Sequence, residues 1–220
     1  MDALTFMTED GVRLEGELRL PDGTPRAGAV VCHPHPKHGG SKDHPILWAL
    51  RNELAGVRGV AVLGFNFRGV MGSGGVYGGG HDELKDVRSA IARVRESAPE
   101  RPTVLLGWSF GANVALRSAL DHADVDALVM IGIPLRPKDL TLPPLPGPSE
   151  LLLFHRPALV LCGDNDEYCP VADADTFIRG FPNGHLQVVE GTDHFLWRHE
   201  KEAATIVGDF VDAALGPEGA

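Results

Sequence analysis

The sequence predicts an α/β fold: a mainly parallel central sheet with an N-terminal antiparallel hairpin and helices on both faces. Three observations carry that expectation. Apolar runs of strand length, among them "AGAVVCH", "VAVLGFNF", "PTVLLGWS", "DALVMIGI" and "RPALVLCG", recur without polar alternation, as strands buried on both faces do. Segments with helical spacing separate them, and alternating strand and helix gives a parallel sheet. "LTFMT" and "RLEGELRL" instead alternate in polarity around "EDG", the pattern of a hairpin.

The elements follow in order. After the hairpin, "AGAVVCH" is the first buried strand, and "ILWALRNELAG" has helical spacing that ends near Gly56. "VAVLGFNF" is the next strand, and a glycine-rich loop follows from Gly69 to Gly80. "HDELKDVRSAIARVRE" is an amphipathic helix whose first turn carries acids, which suits the helix dipole. "PTVLLGWS" leads into the helix "ANVALRSALDHA". "DALVMIGI", "RPALVLCG" and the shorter "HLQVVEG" are further strands, and a last helix runs roughly from Leu196 to Leu215. The stretch 134–157 is rich in Pro and Leu and breaks the alternation. It reads as a crossover with one short helix or as a small lid. With 220 residues and no internal repeat, 1–220 is expected to be one domain.

Hydrophobic residues make up 43% of the chain and charged residues 23%, ordinary for a soluble globular protein. The net charge of −10 repels phosphate backbones, so nucleic acid is not an expected partner. No apolar run approaches the length of a membrane span. Three cysteines do not make a disulfide framework, and Cys32 and Cys162 lie in apolar runs as buried free thiols would. These features, and the absence of a signal-peptide pattern at "MDALTFMTEDG", lead us to expect a cytoplasmic protein, monomer or homodimer, acting on a small molecule.

Ligands of such sheets bind beyond the carboxyl ends of the strands, so reactive residues are sought there. "GWSFG" places Ser109 between a buried strand and a helix, with Gly107 and Gly111 two residues to either side. That is the pattern of a nucleophile elbow, where small residues relieve crowding between strand and helix. The glycine spacing alone is weak; a serine helix cap between turn glycines has the same letters. An activated serine also needs a base, an orienting acid and donors for an oxyanion. Asp164 and Asp166 follow the strand "ALVLC", and His194 follows "LQVV", in the chain order serine, acid, histidine. Alone, each aspartate reads as a cap and the histidine as a surface residue. The coincidence of all three at strand ends favours chemistry. One oxyanion donor is expected at the Phe110 N–H. The other belongs in the loop "HPHPKHGGSKDH", where Pro34 and Pro36 have no N–H and His35 is the best donor.

The same loop crowds His33, His35, His38 and His44 beside Asp43, a composition that also suits zinc. No helix presents two of them on one face, so a loop shaping the site is preferred and no metal or cofactor is expected. The Gly69–Gly80 loop lacks phosphate-binding patterns, and Arg68 reads as a pin for it rather than as a substrate ligand. Trp108, Met71, Tyr77, Leu135 and Phe195 are candidate walls of a substrate pocket, although core packing explains any of them equally well.

Together "CHPHPKHGG", "FNFRGVMGSGG" and "GWSFGA" resemble the α/β-hydrolases nearly end to end, and within them a branch of small, nearly lidless bacterial enzymes. "GDND" and "GTDHF" resemble that family's acid and histidine loops. The resemblance implies Ser109 as nucleophile, His194 as base and Asp166 as acid, three residues after the strand-end Gly163, with Asp164 as the fallback. It implies an esterase-like serine hydrolase cleaving carboxylic esters through an acyl-enzyme, and the short chain without a large cap suggests an open site and short acyl chains. A peptidase or thioesterase would use the same triad. A metal-dependent hydrolase built on the His33–His44 loop and a non-catalytic binding protein are the readings from other classes.

Overall fold

The turn after the first strand is closed by the Thr8 hydroxyl, which accepts from the Val12 N–H at 2.8 Å, while Gly11 takes the left-handed backbone at φ +80°. It joins β1 (Asp2–Met7) to β2 (Arg13–Arg19), paired antiparallel with Thr5 opposite Glu15. In this computed structural model, which describes residues 2–121, 124–138 and 140–216, the hairpin continues into a single eight-stranded sheet. β2 lies antiparallel to β4 (Val60–Phe65). β3 (Ala27–Cys32), β5 (Thr103–Trp108), β6 (Ala127–Ile131), β7 (Ala158–Gly163) and β8 (Gly184–Val189) complete it in parallel, in the order β1-β2-β4-β3-β5-β6-β7-β8. Every residue of β3 to β7 is buried, whereas β8 is an edge strand with residues exposed on alternate positions.

Two apolar layers sandwich the sheet. Val30 and Cys32 point to the layer of α2 (Glu83–Arg95), α3 (Phe110–Asp121) and α5 (Val171–Ile178). Their neighbours Ala29 and Val31 point to the layer of α1 (Pro45–Gly56) and α6 (Glu200–Leu215). In α1, Pro45 at the first position presets the helical φ, and Ile46, Leu47, Leu50 and Leu54 form the buried stripe. All three cysteines are buried and free. Among the described residues no helix is long and apolar enough to cross a membrane.

Two helices depart from the sequence expectation. The last helix starts at Glu200 rather than Leu196, because Leu196 and Arg198 take left-handed φ of +53° and +68°. The helix α5 was not separable from its polar flanks in the sequence. The stretch 134–157 is a crossover whose helix is one turn, α4 (Pro148–Leu151). Asn113 and Arg117 of α3 donate to the Pro143 and Pro144 carbonyls at 3.2 and 2.8 Å, and Arg136 grips Asp173 with two bonds. Arg68, at the start of the glycine-rich loop, is engaged in structural ion pairs with α2 and the hairpin turn. Its guanidinium bonds the buried Asp86 at 2.8 and 2.9 Å and Asp10 at 3.0 and 3.1 Å.

The chain goes from β3 outward to β4 on one side and returns to β5 on the other. The switch between β3 and β5 opens a crevice beyond their carboxyl ends, where such sheets bind ligands.

Candidate active site

Ser109 stands in that crevice, between the end of β5 and the start of α3, with φ +56°. A left-handed serine is strained, and the strain is held by its surroundings. Its N–H donates to the Ile131 carbonyl of β6 at 2.8 Å, and its carbonyl accepts from Ala112 and Asn113. A Cβ on Gly107 would overlap the Gly111 carbonyl, and one on Gly111 would overlap the Cys32 carbonyl. Nothing larger than hydrogen fits at either position, so the sharp turn that lifts Ser109 depends on both glycines.

His194 follows β8, and its Nε2 lies 2.9 Å from the Ser109 Oγ. Its Nδ1 lies 2.9 and 3.1 Å from the two carboxylate oxygens of Asp166. Asp166 Oδ1 also accepts the N–H groups of Tyr168 and Cys169 at 2.8 and 2.9 Å, which fixes the carboxylate. The indole Nε1 of Trp108 donates to the His194 carbonyl at 3.1 Å. All three residues are nearly enclosed, with 3 to 8% of their surface exposed. Asp164 is exposed and points elsewhere. It accepts from the Thr192 N–H at 3.1 Å, and backbone N–H groups, that of Gly191 foremost, hold its carboxyl below the usual range.

The two expected oxyanion donors lie beside this chain. Among the described residues, neither the Phe110 N–H nor the His35 N–H is engaged in a hydrogen bond. His35 carries the first turn of the 3₁₀ segment Pro36–His38 on its carbonyl, and its ring lies 5.1 Å from that of Phe110. Its Nδ1 accepts from the Lys37 N–H at 3.2 Å, which leaves the proton on Nε2 to donate to the Tyr77 hydroxyl at 3.1 Å. Burial, with His38 and Lys37 close by, pushes His35 down to about 4, so the ring is neutral. His33 is likewise pushed down to about 4 by burial. Its Nε2 accepts from the Phe67 N–H at 2.9 Å and its Nδ1 donates to the Pro34 carbonyl at 2.7 Å. Both rings are thus spent on loop structure. Among the described residues no three His, Cys, Asp or Glu side chains are placed to hold a metal ion.

A cavity of about 190 Å³ opens at Ser109. Trp108 and Phe195 line it, as expected from the sequence. Met71, Tyr77 and Leu135 do not line it, which corrects the expected pocket. Met71 is 76% exposed, and Leu135 packs onto the core. Tyr77 stands behind His35 and supports it. His35, His38 and His44 of the histidine loop line it too, so that loop shapes the site as preferred from the sequence, whereas the Leu140 and Tyr168 walls were missed. The sequence reading also missed Gly132, which passes against His194 and Asp166. Tyr168 had a signal, two residues after the acid; Leu140 had none. Larger grooves of about 450 and 400 Å³ lie elsewhere, one along β8 and α6, and neither contains Ser109, His194 or Asp166.

An elbow serine at the switch point of a sheet with this strand order defines a hydrolase of the α/β-hydrolase superfamily. The model of the family described as serine aminopeptidase, S33, matches residues 23–153, more than half of the chain, and the chain belongs to that family. The match includes Ser109 and stops short of Asp166 and His194. The chain is 26% identical to the uncharacterized protein RP471 of Rickettsia prowazekii over 96% of its own length and 89% of the relative's. The fold is also similar to XC6422 of Xanthomonas campestris, an α/β serine hydrolase without lid. There the TM-score is 0.82 at 27% identity, over 98% of this chain and 95% of that one. An α/β serine hydrolase homologue from Coxiella burnetii gives a TM-score of 0.80 at 25% identity, over 94% and 96% of the two chains.

Proposed function

We propose that the chain is a serine hydrolase of carboxylic esters, with Ser109, His194 and Asp166 as its triad. The observation that carries this reading is the unbroken hydrogen-bonded chain from Oγ through the imidazole to a fixed carboxylate. His194 Nε2 takes the Ser109 proton as Oγ attacks the carbonyl carbon. The Phe110 and His35 N–H groups receive the oxyanion. His194 then returns the proton to the leaving alcohol, and water, activated by the same ring, releases the acid from the acyl-enzyme. Asp166 holds the imidazole tautomer and stabilises the imidazolium. No step calls on a metal or a cofactor.

The family description raises amide hydrolysis as a second reading. An aminopeptidase must pair the ammonium of its substrate, and among the described residues no acidic side chain lines the cavity. That favours esters. The test is intact-mass measurement after treatment with a fluorophosphonate. A single adduct on the wild type and none on Ser109→Ala is the expected result. A folded wild type that takes no adduct overturns the mechanism.

A further inference from the structure

The walls of the Ser109 cavity are mostly rings. Trp108, Tyr168, Phe195 and His44 face it, and Leu140 and Pro34 are its aliphatic members. These rings are already arranged against one another. Phe195 stands edge-on to Trp108 at 6.3 Å and 79°, and edge-on to His194 at 5.7 Å and 85°. Trp197 stacks on Phe195 at 6.3 Å and 18° and backs His44 at 5.5 Å. An aromatic ring entering here meets both edges and faces, the geometries that ring quadrupoles favour.

The backbone gives an independent reason. Leu196 and Arg198 both take left-handed φ, a strain that non-glycine residues bear where the surroundings impose it and that clusters at ligand clamps. Leu196 turns inward, 1% exposed, while Phe195 at the cavity is 44% exposed and Trp197, stacked beside it, 52% exposed. Adjacent exposed aromatics at a cavity mouth mark a binding surface. The size is also suitable. A dry cavity of about 150 Å³ holds benzene, so about 190 Å³ has room for one ring with a short linker.

We propose that the substrates are esters of carboxylic acids bearing a single aromatic ring, held in the acyl position against Trp108 and Phe195; this rests on the serine-hydrolase reading above. The acyl half is the one that must fit, because it stays bonded to Oγ after the alcohol has left. In the step itself the Oγ–carbonyl carbon bond forms, the ester C–O bond breaks, and the Ser109 proton passes through His194 Nε2 to the alcohol oxygen. Water then donates its hydroxyl to the acyl carbon and restores the Oγ proton, releasing the aryl-bearing acid.

The test uses two boronic acids matched in carbon number, 2-phenylethylboronic acid and n-octylboronic acid, as competitive inhibitors of p-nitrophenyl acetate hydrolysis. The aryl compound is expected to bind about tenfold more tightly to the wild type, as several aromatic pairs imply. The ratio is expected to fall towards one in Phe195→Ala and to persist in Phe195→Tyr. Phe195 is partly exposed, so neither variant removes core packing. Equal binding of the two, or tighter binding of the octyl compound, overturns the aromatic preference and leaves the serine mechanism standing. If neither boronic acid binds and the folded protein also resists fluorophosphonate, the serine mechanism itself is overturned.

Discussion

Gly132 presses against His194. A Cβ built on this glycine would lie 3.0 Å from the Cε1 and Nδ1 atoms of the imidazole and 3.1 Å from Asp166 Oδ2. The residue also takes φ +51°, a region costly for a side chain. Gly132→Ala is therefore expected to push the imidazole off the 2.9 Å line to Ser109 Oγ. A displacement of that kind lowers kcat by about 10²-fold. Steady-state kinetics on a short-chain nitrophenyl ester check this; an unchanged kcat would show that the ring position does not govern the rate.

The two aspartates of the acid loop should separate cleanly. Asp166→Asn is expected to lower kcat by about 10³ to 10⁴-fold, because an amide favours the wrong imidazole tautomer. Asp164→Asn alters only contacts of an exposed side chain, with the Thr192 and Gly191 N–H groups and the Asn165 amide. Its kcat should stay within about threefold of the wild type, with a stability loss of about 1 kcal/mol or less. Parallel kinetics and urea titrations of the two variants decide the assignment.

Tyr77→Phe deletes the acceptor of the His35 Nε2–H bond and leaves the ring contact with Phe110 in place. The His35 N–H is then less firmly aimed. The expected signature is a fall in kcat of about tenfold with KM little changed, since the donor acts on charge that develops only in the transition state. A rise in KM alone would assign Tyr77 to substrate binding instead.

His33 makes stability depend on pH. Fully buried and neutral, it takes a proton only near 4, against about 6.5 in the unfolded chain. Between those values the unfolded chain binds more protons, so stability falls as pH falls through this window and is fully present above 6.5. The contribution is about 3 kcal/mol across the window. Urea midpoints measured from pH 7 to pH 4 should fall, and the slope should flatten in His33→Gln.

Most of the scaffold was legible because β3 to β7 bury both faces, which leaves uninterrupted apolar runs in the sequence. Ser109, Asp166 and His194 were legible because strand ends are visible, and chemistry in this type of sheet gathers there. The cavity walls were not. Met71 and Leu140 are both apolar loop residues, and only the path of the loop places one in solvent and the other over Ser109. Gly132 was invisible for a similar reason. Its requirement is a distance to His194, sixty-two residues further along the chain (194 − 132), rather than a local conformation. The left-handed Leu196 and Arg198 hid the true start of α6, because the letters around them continue a helical pattern.

The bond from the Trp108 indole to the His194 carbonyl has a mechanical consequence. Ser109 and His194 follow strands separated by β6 and β7, so thermal breathing of the outer sheet would ordinarily be passed on to their spacing. Here Trp108, next to Ser109, holds the backbone of His194, and the two are referenced to each other across a single contact. Sheet edges loosen before cores on warming. That contact gives the Ser109–His194 spacing a support besides β8, and the geometry is expected to outlast the fraying of that edge strand.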